Sequence, residues 1–454
     1  MLDMMALLLA MLAVAPEAEA RQPAPTGDSM MSAQPTAVVA RWQARIYGFA
    51  EADFFADSTQ SLVDLQGNQL LAAPHTTAAD AGRVQFSERN SRLGVALESP
   101  LFRGMKTSGV VESDFLGYNP APGSTAGASE SSFYNGVFRL RHAWARLSTP
   151  VVDVLAGQAW QLLGFNPVFT PGSVSLQGLP NEIFLRTPQL RLSHLFDLGA
   201  ARIEAALALQ RPGQRDSAAP DFVGGLRVEL PGWQGYKSTA SAAGGLSGIQ
   251  LAVSGIAKQF RVLKASPASD TDFETATGNA VAVDAIVPIV PATKESRANA
   301  LTFVGEATTG TGYSDNFTGL SAGTAIGAPP GAPATFAVAP GLDAGDAGFG
   351  SDTGKLETVD WRSLLLNLQY YTPVDNGSLW LNLLYSELTS DNTLLFAKRG
   401  AAFGVQRYAS LGALYDVTPA FRVGVEGTWT QQKMTDGSQR INRRAQLLVL
   451  YNFL

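Results

Sequence analysis

The chain has 454 residues, of which 16% are charged, 46% are hydrophobic and none is cysteine, and its formal net charge is −6. That hydrophobicity with so small a net charge excludes a disordered chain, and the missing cysteine excludes disulfide scaffolds, cysteine-based zinc sites and thiol nucleophiles. The longest uninterrupted apolar run, Met4 to Ala15, is twelve residues, whereas a membrane-crossing helix needs about 20. A large soluble β-protein and a closed transmembrane β-barrel remain.

Met4 to Ala15 reads as the core of a signal peptide spanning 1–20, with Ala18-Glu19-Ala20 as a small-x-small cleavage site before Arg21. The segment before that core departs from the usual pattern, since it carries Asp3 and no Lys or Arg. Removing 1–20 takes away three of the 39 acids and none of the 33 bases, leaving 36 against 33. A near-neutral chain offers no basic field for nucleic acid. Residues 21–43 follow as a flexible lead-in, rich in Pro, Ala, Ser and Gln at its start.

From residue 44 to 454 the chain alternates apolar and polar side chains in short segments, the period of a two-faced strand. Sixteen strands are predicted: 44–54, 91–99, 105–115, 136–147, 151–160, 187–195, 200–210, 222–230, 247–261, 279–288, 298–308, 357–371, 378–388, 404–416, 420–432 and 443–454. In the fourth, Phe138, Leu140, His142 and Trp144 fall on one face and Arg139 and Arg141 on the other. In the twelfth, Ser363, Asn367 and Gln369 oppose Leu364, Leu366, Leu368 and Tyr370.

The connections alternate as well. Those after even-numbered strands are short, such as Thr149-Pro150 and Phe196 to Gly199, and those after odd-numbered strands are long, such as 55–90, 161–186 and 309–356. The segment 231–246 is the exception, long where a short turn belongs. Short turns on one rim and long loops on the other mark an outer-membrane barrel. Lipid offers no hydrogen bonds, so a spanning sheet must close on itself. The fold class is therefore all-β: a transmembrane antiparallel barrel of about 16 strands, with short periplasmic turns and long extracellular loops. Phe115, Trp160, Tyr370, Tyr371, Tyr415, Phe421 and Phe453, near strand ends, are expected in the aromatic girdles.

Several stretches resemble the DcaP-like porins, relatives of the general trimeric porins of Gram-negative outer membranes. They are Ile46-Tyr47-Gly48-Phe49-Ala50 followed by Asp53, Ser91-Arg92-Leu93-Gly94, Glu112-Ser113-Asp114-Phe115, Phe138 to Ala143, Gly157 to Trp160 and Arg186 to Arg191. The resemblance is good over 45–195, weaker to 310, and beyond that rests on patterning and the last strand. It implies a homotrimer of sixteen-stranded subunits in outer-membrane lipid and lipopolysaccharide, each with a pore for small anionic, often dicarboxylic, solutes. Gly48, Ala50 and Ala52 suit close subunit packing. The last strand should end on an aromatic residue read by the barrel-assembly machinery; Phe453 is its equivalent here, followed by an extra Leu454. Residues 21–43 show no heptads, unlike the N-terminal coiled coil of better-known members.

A sixteen-strand barrel is wide enough for an aqueous channel, so selectivity must come from groups that narrow it. The connection 161–186 holds Phe165, Pro167, Phe169, Leu176 and Phe184, too apolar for a loop in water, and is expected to fold back against the wall. The resemblance implies that it makes the constriction. Alternation puts Arg92, Arg139, Arg141, Arg191 and Arg202 in the lumen, with Arg186 at the loop's exit. Guanidinium stays charged and fits carboxylates with a planar fork. Glu182 and Glu204 are the acids expected to oppose the arginines. In the other reading, each arginine pairs with a lumen acid such as Glu98, Glu112 or Glu229 and only hydrates the wall.

Gly319-Leu320-Ser321-Ala322-Gly323 fits the hydrolase G-x-S-x-G pattern but sits in a Gly/Ala/Pro-rich loop, not between a strand and a helix. His75, His142 and His194 are too scattered for a metal site, and His142 is expected as an interfacial or subunit-contact side chain. Asp343, Asp346 and Asp352, among glycines, could hold Ca²⁺ on an outer loop, but a solvated acidic loop is the expected reading. The leading function is a diffusion porin without cofactor or metal. The alternative is an outer-membrane barrel serving as an enzyme or adhesin with no open pore.

Overall fold

The computed structural model describes residues 42–117, 136–175, 178–241, 244–264, 272–326 and 342–453. The signal-peptide expectation, all but the last two residues of the lead-in, and the middle of the 309–356 loop lie outside them.

Sixteen antiparallel strands form one closed sheet. They are β1 (Gln43–Asp57), β2 (Arg83–Ser87 and Arg92–Glu98), β3 (Lys106–Asp114), β4 (Arg139–Ser148), β5 (Asp153–Trp160), β6 (Arg186–Asp197), β7 (Arg202–Gln210), β8 (Asp221–Lys237), β9 (Gly245–Leu263), β10 (Phe273–Val290), β11 (Leu301–Thr311), β12 (Asp360–Tyr371), β13 (Leu379–Thr389), β14 (Phe403–Asp416), β15 (Phe421–Met434) and β16 (Gln439–Phe453). Each pairs with the next, and β16 returns to β1 from Gly48↔Phe453 to Asp57↔Arg444. Closure leaves no sheet edge without hydrogen bonds, which is what a lipid environment demands. Across the seam Arg444 donates through Nε to Asp57 Oδ1 at 2.9 Å and through Nη2 to Asp57 Oδ2 at 2.8 Å.

The period-2 pattern sets the two faces. Leu207, Leu251, Val283, Leu383 and Leu411 point out and are exposed, as a lipid-facing belt must be. Asn367, Gln369, Asn382, Ser386, Gln406 and Gln432 point in and are buried. The arrangement is that of a multi-pass transmembrane β-barrel.

The structure changes the sequence reading at four places. β8 runs past Pro231 to Lys237, with a register shift between Gly248 and Ile249. The apparent long turn is thus strand, the proline sits where proline is tolerated at a bulge, and the connection shrinks to 238–244. β2 has an additional outer piece, Arg83–Ser87, pairing with Asp53 to Asp57 of β1. In β4 an extra residue, Arg141, is inserted where Glu112↔His142 gives way to Ser113↔Leu140. Such a bulge flips the parity beyond it, so His142 faces inward, packed on Trp160 with ring centroids 5.6 Å apart, and is not an interfacial or subunit contact. Trp160 and Tyr371 also leave the expected girdles. Tyr371 is buried in the interior, and Trp160 carries the guanidinium of Arg186 on its ring at 4.8 Å.

Candidate pore constriction

The loop 161–185 after β5 lies inside the barrel. Its apolar residues Leu162, Leu163, Phe165, Phe169 and Ile183 join a buried cluster with inward side chains of β7 to β11, among them Ala206, Val223, Ile256, Ala282 and Val304. Burying these aromatic and aliphatic groups removes them from water, but it also buries loop amides, which must be paired. Inward polar side chains do this. Ser254 Oγ accepts from Gly164 N at 2.9 Å, Asn367 Oδ1 from Gly172 N at 3.0 Å, Glu426 Oε2 from Val174 N at 3.2 Å, and Glu306 Oε1 from Ile183 N at 2.9 Å.

Two further loops enter the lumen, 58–82 after β1 and, in its described parts 312–326 and 342–359, the loop after β11. The three meet in a knot. Gly67 N donates to Gly178 O at 3.0 Å, and Asn68 N to Thr318 O at 2.7 Å. Asn68 Oδ1 accepts from Asn181 N at 2.9 Å and from Gln406 Nε2 at 2.8 Å. Gly67 and Gly178 both have positive φ, 47° and 54°. A Cβ at Gly178 would stand 2.2 Å from Thr318 Oγ1. Gly178→Ala therefore forces about 1–3 kcal/mol of backbone strain as well as a clash. The expected result is faster proteolytic nicking of the inner loops with the barrel itself still folded.

The loop after β11 has its own tether. Lys258 Nζ of β9 lies 2.5 Å from Asp315 Oδ1 and 3.8 Å from Asp346 Oδ2. Asp346, expected in solvent, is buried. Burial, and next the Asp315 charge, push its carboxyl up to about 7. A carboxyl raised in the folded state contributes stability that is full below its unfolded value near 4 and lost as pH climbs to about 7. Limited proteolysis of this loop should therefore accelerate between about pH 4 and 7, and Asp346→Asn should flatten that dependence.

On the wall made by β2 to β6, four of the six expected arginines converge. Arg141 donates through Nε to Glu112 Oε1 at 2.6 Å and through Nη1 to Asp114 Oδ2 at 2.9 Å. Arg139 Nη2 donates to Asp114 Oδ2 at 2.6 Å, and Arg92 Nε lies 3.5 Å from Glu112 Oε1. Arg186, at the loop's exit, is stacked between Trp160 and Phe184, its guanidinium carbon 4.8 and 5.5 Å from their ring centres. Three guanidiniums thus share two carboxylates, with that of Arg186 stacked beside them. Arg191 stands one strand on, held by Gln189 Oε1 at 3.0 Å and Trp160 O at 2.5 Å, with no carboxylate within 4.0 Å among the described residues.

Exposure sorts them. The Arg141 side chain is 1% exposed and ties Glu112 to Asp114, whereas that of Arg139 is 26% exposed. Arg202 does not join the cluster. It pairs across the short 198–201 turn with Asp197 at 3.4 Å and with Glu229 at 3.8 Å, at the periplasmic rim. Glu182 is placed differently from the sequence reading. It is 3% exposed, sealed under the loop away from the arginine wall, and burial, with the Glu306 carboxyl second, pushes its own carboxyl well up. Glu204 is taken by an arginine that the sequence reading missed, Arg227, whose Nη2 lies 2.5 Å away. The alternation of Val223, Gly225, Arg227 and Glu229 inside a predicted strand was the signal for it. Gly319 to Gly323 lies in the folded-in loop with no helix following it, so it has no nucleophile-elbow geometry.

No family model matches the chain, and no curated protein sequence matches it. Among solved structures, the outer membrane channel DcaP of Acinetobacter baumannii superposes with a TM-score of 0.62 at 15% identity, covering 92% of this chain and 99% of that one. The fold is that of the DcaP-like porins. An anion-selective porin from Comamonas acidovorans follows with a TM-score of 0.52 at 10% identity, covering 91% of this chain and 100% of that one.

Proposed function

We propose that this chain is a passive outer-membrane diffusion porin for small hydrophilic solutes, preferentially anions of the carboxylate class. The observation that carries the reading is the surplus of guanidinium on the β2–β6 wall, four groups against Glu112 and Asp114, with Arg191 beside them. Low-dielectric walls focus that field and raise the local anion concentration, and the guanidinium fork suits a carboxylate. The infolded loop 161–185 with its neighbours narrows the passage opposite that wall. The anion-selective porin of Comamonas acidovorans has the same fold, which supports the same sign here. On this reading the chain works as a homotrimer in lipopolysaccharide-containing membrane, with Phe453 ending the strand that the assembly machinery reads.

The test is liposome swelling. Proteoliposomes should admit a small dicarboxylate several-fold faster than a neutral sugar of equal size. Equal rates would remove the carboxylate preference.

One observation favours the second reading, a barrel used as an enzyme or adhesin without an open pore: three loops are tied together inside the lumen. Purified protein that never conducts in a planar bilayer would select it.

A further inference from the structure

Apart from the arginine wall, a second polar site lies between β1, the interruption of β2, β16 and the infolded loops. It is a cavity of about 20 Å³, and its polar lining is Asp53, Asp64, Ser87, Asn90, Ser175 and Gln446. A cavity needs about 10–15 Å³ to hold one water-sized occupant, so this one takes a single small particle. Every one of those six side chains offers an oxygen, the donor type that selects hard cations.

The charges around it are not balanced. Asp64 is paired, with Arg89 Nη1 at 2.9 Å and Ser87 Oγ donating at 2.7 Å. Asp53 hydrogen-bonds the Glu51 carboxyl and, with no cation of its own within 4.0 Å among the described residues, accepts from the neutral Gln446 Nε2 at 2.8 Å. That contact fixes the amide's orientation, because turning it over would set two oxygens together. Gln446 is then 5% exposed with Oε1 lacking any hydrogen-bond partner. Glu51, the next inward residue on β1, is 3% exposed; Asn90 Nδ2 holds its Oε1 at 2.8 Å, and its carboxyl hydrogen-bonds that of Asp53, so each buried acid leans on the other rather than on a cation. An oxygen buried without a partner carries its full desolvation cost, and a bound cation relieves this at Gln446 and neutralises the carboxylates together.

We propose that this cavity binds one divalent cation, with calcium preferred, and that the ion pins the 58–82 and 161–185 loops to the β1/β16 seam. Among the described residues no three acidic or histidine side chains converge as a metal set. The site is therefore two carboxylates with neutral oxygens. A low ligand charge gives weak binding of the kind seen in extracellular modules, a dissociation constant of about 0.1–1 mM. Magnesium, which demands near-ideal octahedral geometry, should bind less well.

The test uses the full chain in detergent, freed of lipopolysaccharide and stripped with EDTA, titrated with calcium chloride or magnesium chloride. Calorimetry should show one calcium per chain, and the temperature at which the folded gel band is lost should rise with calcium more than with magnesium. Asp53→Asn should weaken calcium binding at least tenfold. If that variant does not assemble, Gln446→Leu carries the same readout, since it removes the unpartnered amide oxygen. No calcium response in the wild type, or an equal response in wild type and Asp53→Asn, overturns the proposal. Neither measurement depends on whether the pore conducts, so a failure here is separate from a failure of the porin reading.

Discussion

Replacing Arg139 and Arg186 together with glutamine should lower the anion-to-cation permeability ratio by roughly tenfold. The substitution removes the two cluster arginines whose loss still leaves both Glu112 and Asp114 paired with Arg141. Arg139 shares Asp114 with Arg141 and is partly open to the lumen, and Arg186 rests on Trp160 and Phe184. Four guanidiniums against two carboxylates become two against two. A unit charge about 8 Å from a permeating ion is worth about 0.5 kcal/mol in water, with opposite sign for anions and cations. Each charge lost therefore shifts the ratio about two- to fivefold, depending on how far salt screens it. The shift should be largest at low salt and shrink toward 1 M. An unchanged reversal potential in the double variant would mean that permeating ions do not pass this wall.

Arg141→Ala should act on stability. Arg141 is the link between Glu112 and Asp114, at 2.6 and 2.9 Å, and all three side chains are almost fully enclosed. Removing one partner of a buried ion pair costs about 3–5 kcal/mol, because the remaining charge is left without compensation. The bulge adds to the effect, since Arg141 is the residue β4 inserts to bring its side chain to these acids. The heat-modification temperature of Arg141→Ala should fall by several degrees or folded protein should fail to accumulate, whereas Arg139→Gln should melt close to the wild type. If Arg139→Gln is the more destabilised of the two, the assignment of structural and lumen-facing roles is reversed.

Much of the barrel is legible in the sequence because its two faces meet two solvents. Leu364, Leu366 and Leu368 against Ser363, Asn367 and Gln369 is a pattern that only a two-faced strand satisfies. The segregation of short and long connections then orients the barrel. What alternation does not carry is a change of parity. One inserted residue at Arg141 turns His142 and Trp144 inward without altering the composition of the strand. Depth is a second blind spot. Arg202 has the lumen parity, but it begins β7 one tight turn after Asp197, which places it at the rim.

The infolded loop after β5 shows itself through its phenylalanines and prolines. The 58–82 loop carried a weaker form of the same signal in Leu62, Val63, Leu65 and Leu71, all buried. In the long loop after β11 the same signal is diluted by Gly and Ala, with Tyr313, Phe317, Leu320, Leu342, Phe349 and Leu356 scattered among them and all buried. Its contacts combine backbone groups such as Thr318 O with side chains spread thinly along it, among them the buried Phe317, Leu320 and Phe349 and the Asp315 and Asp346 carboxylates. Glu182 was misplaced for a related reason. Within so apolar a loop its parity is undefined, and packing against Glu306 and β11 turned it away from the arginines.

The most direct test of a pore with an arginine-rich passage is the zero-current potential of the wild-type protein in a planar bilayer under a tenfold potassium chloride gradient. The account predicts stepwise conductance, with a potential whose sign shows chloride to be the more permeant ion and whose size grows as the salt is diluted. A potential of cation-selective sign, or a membrane that never conducts although folded protein has inserted, would contradict it.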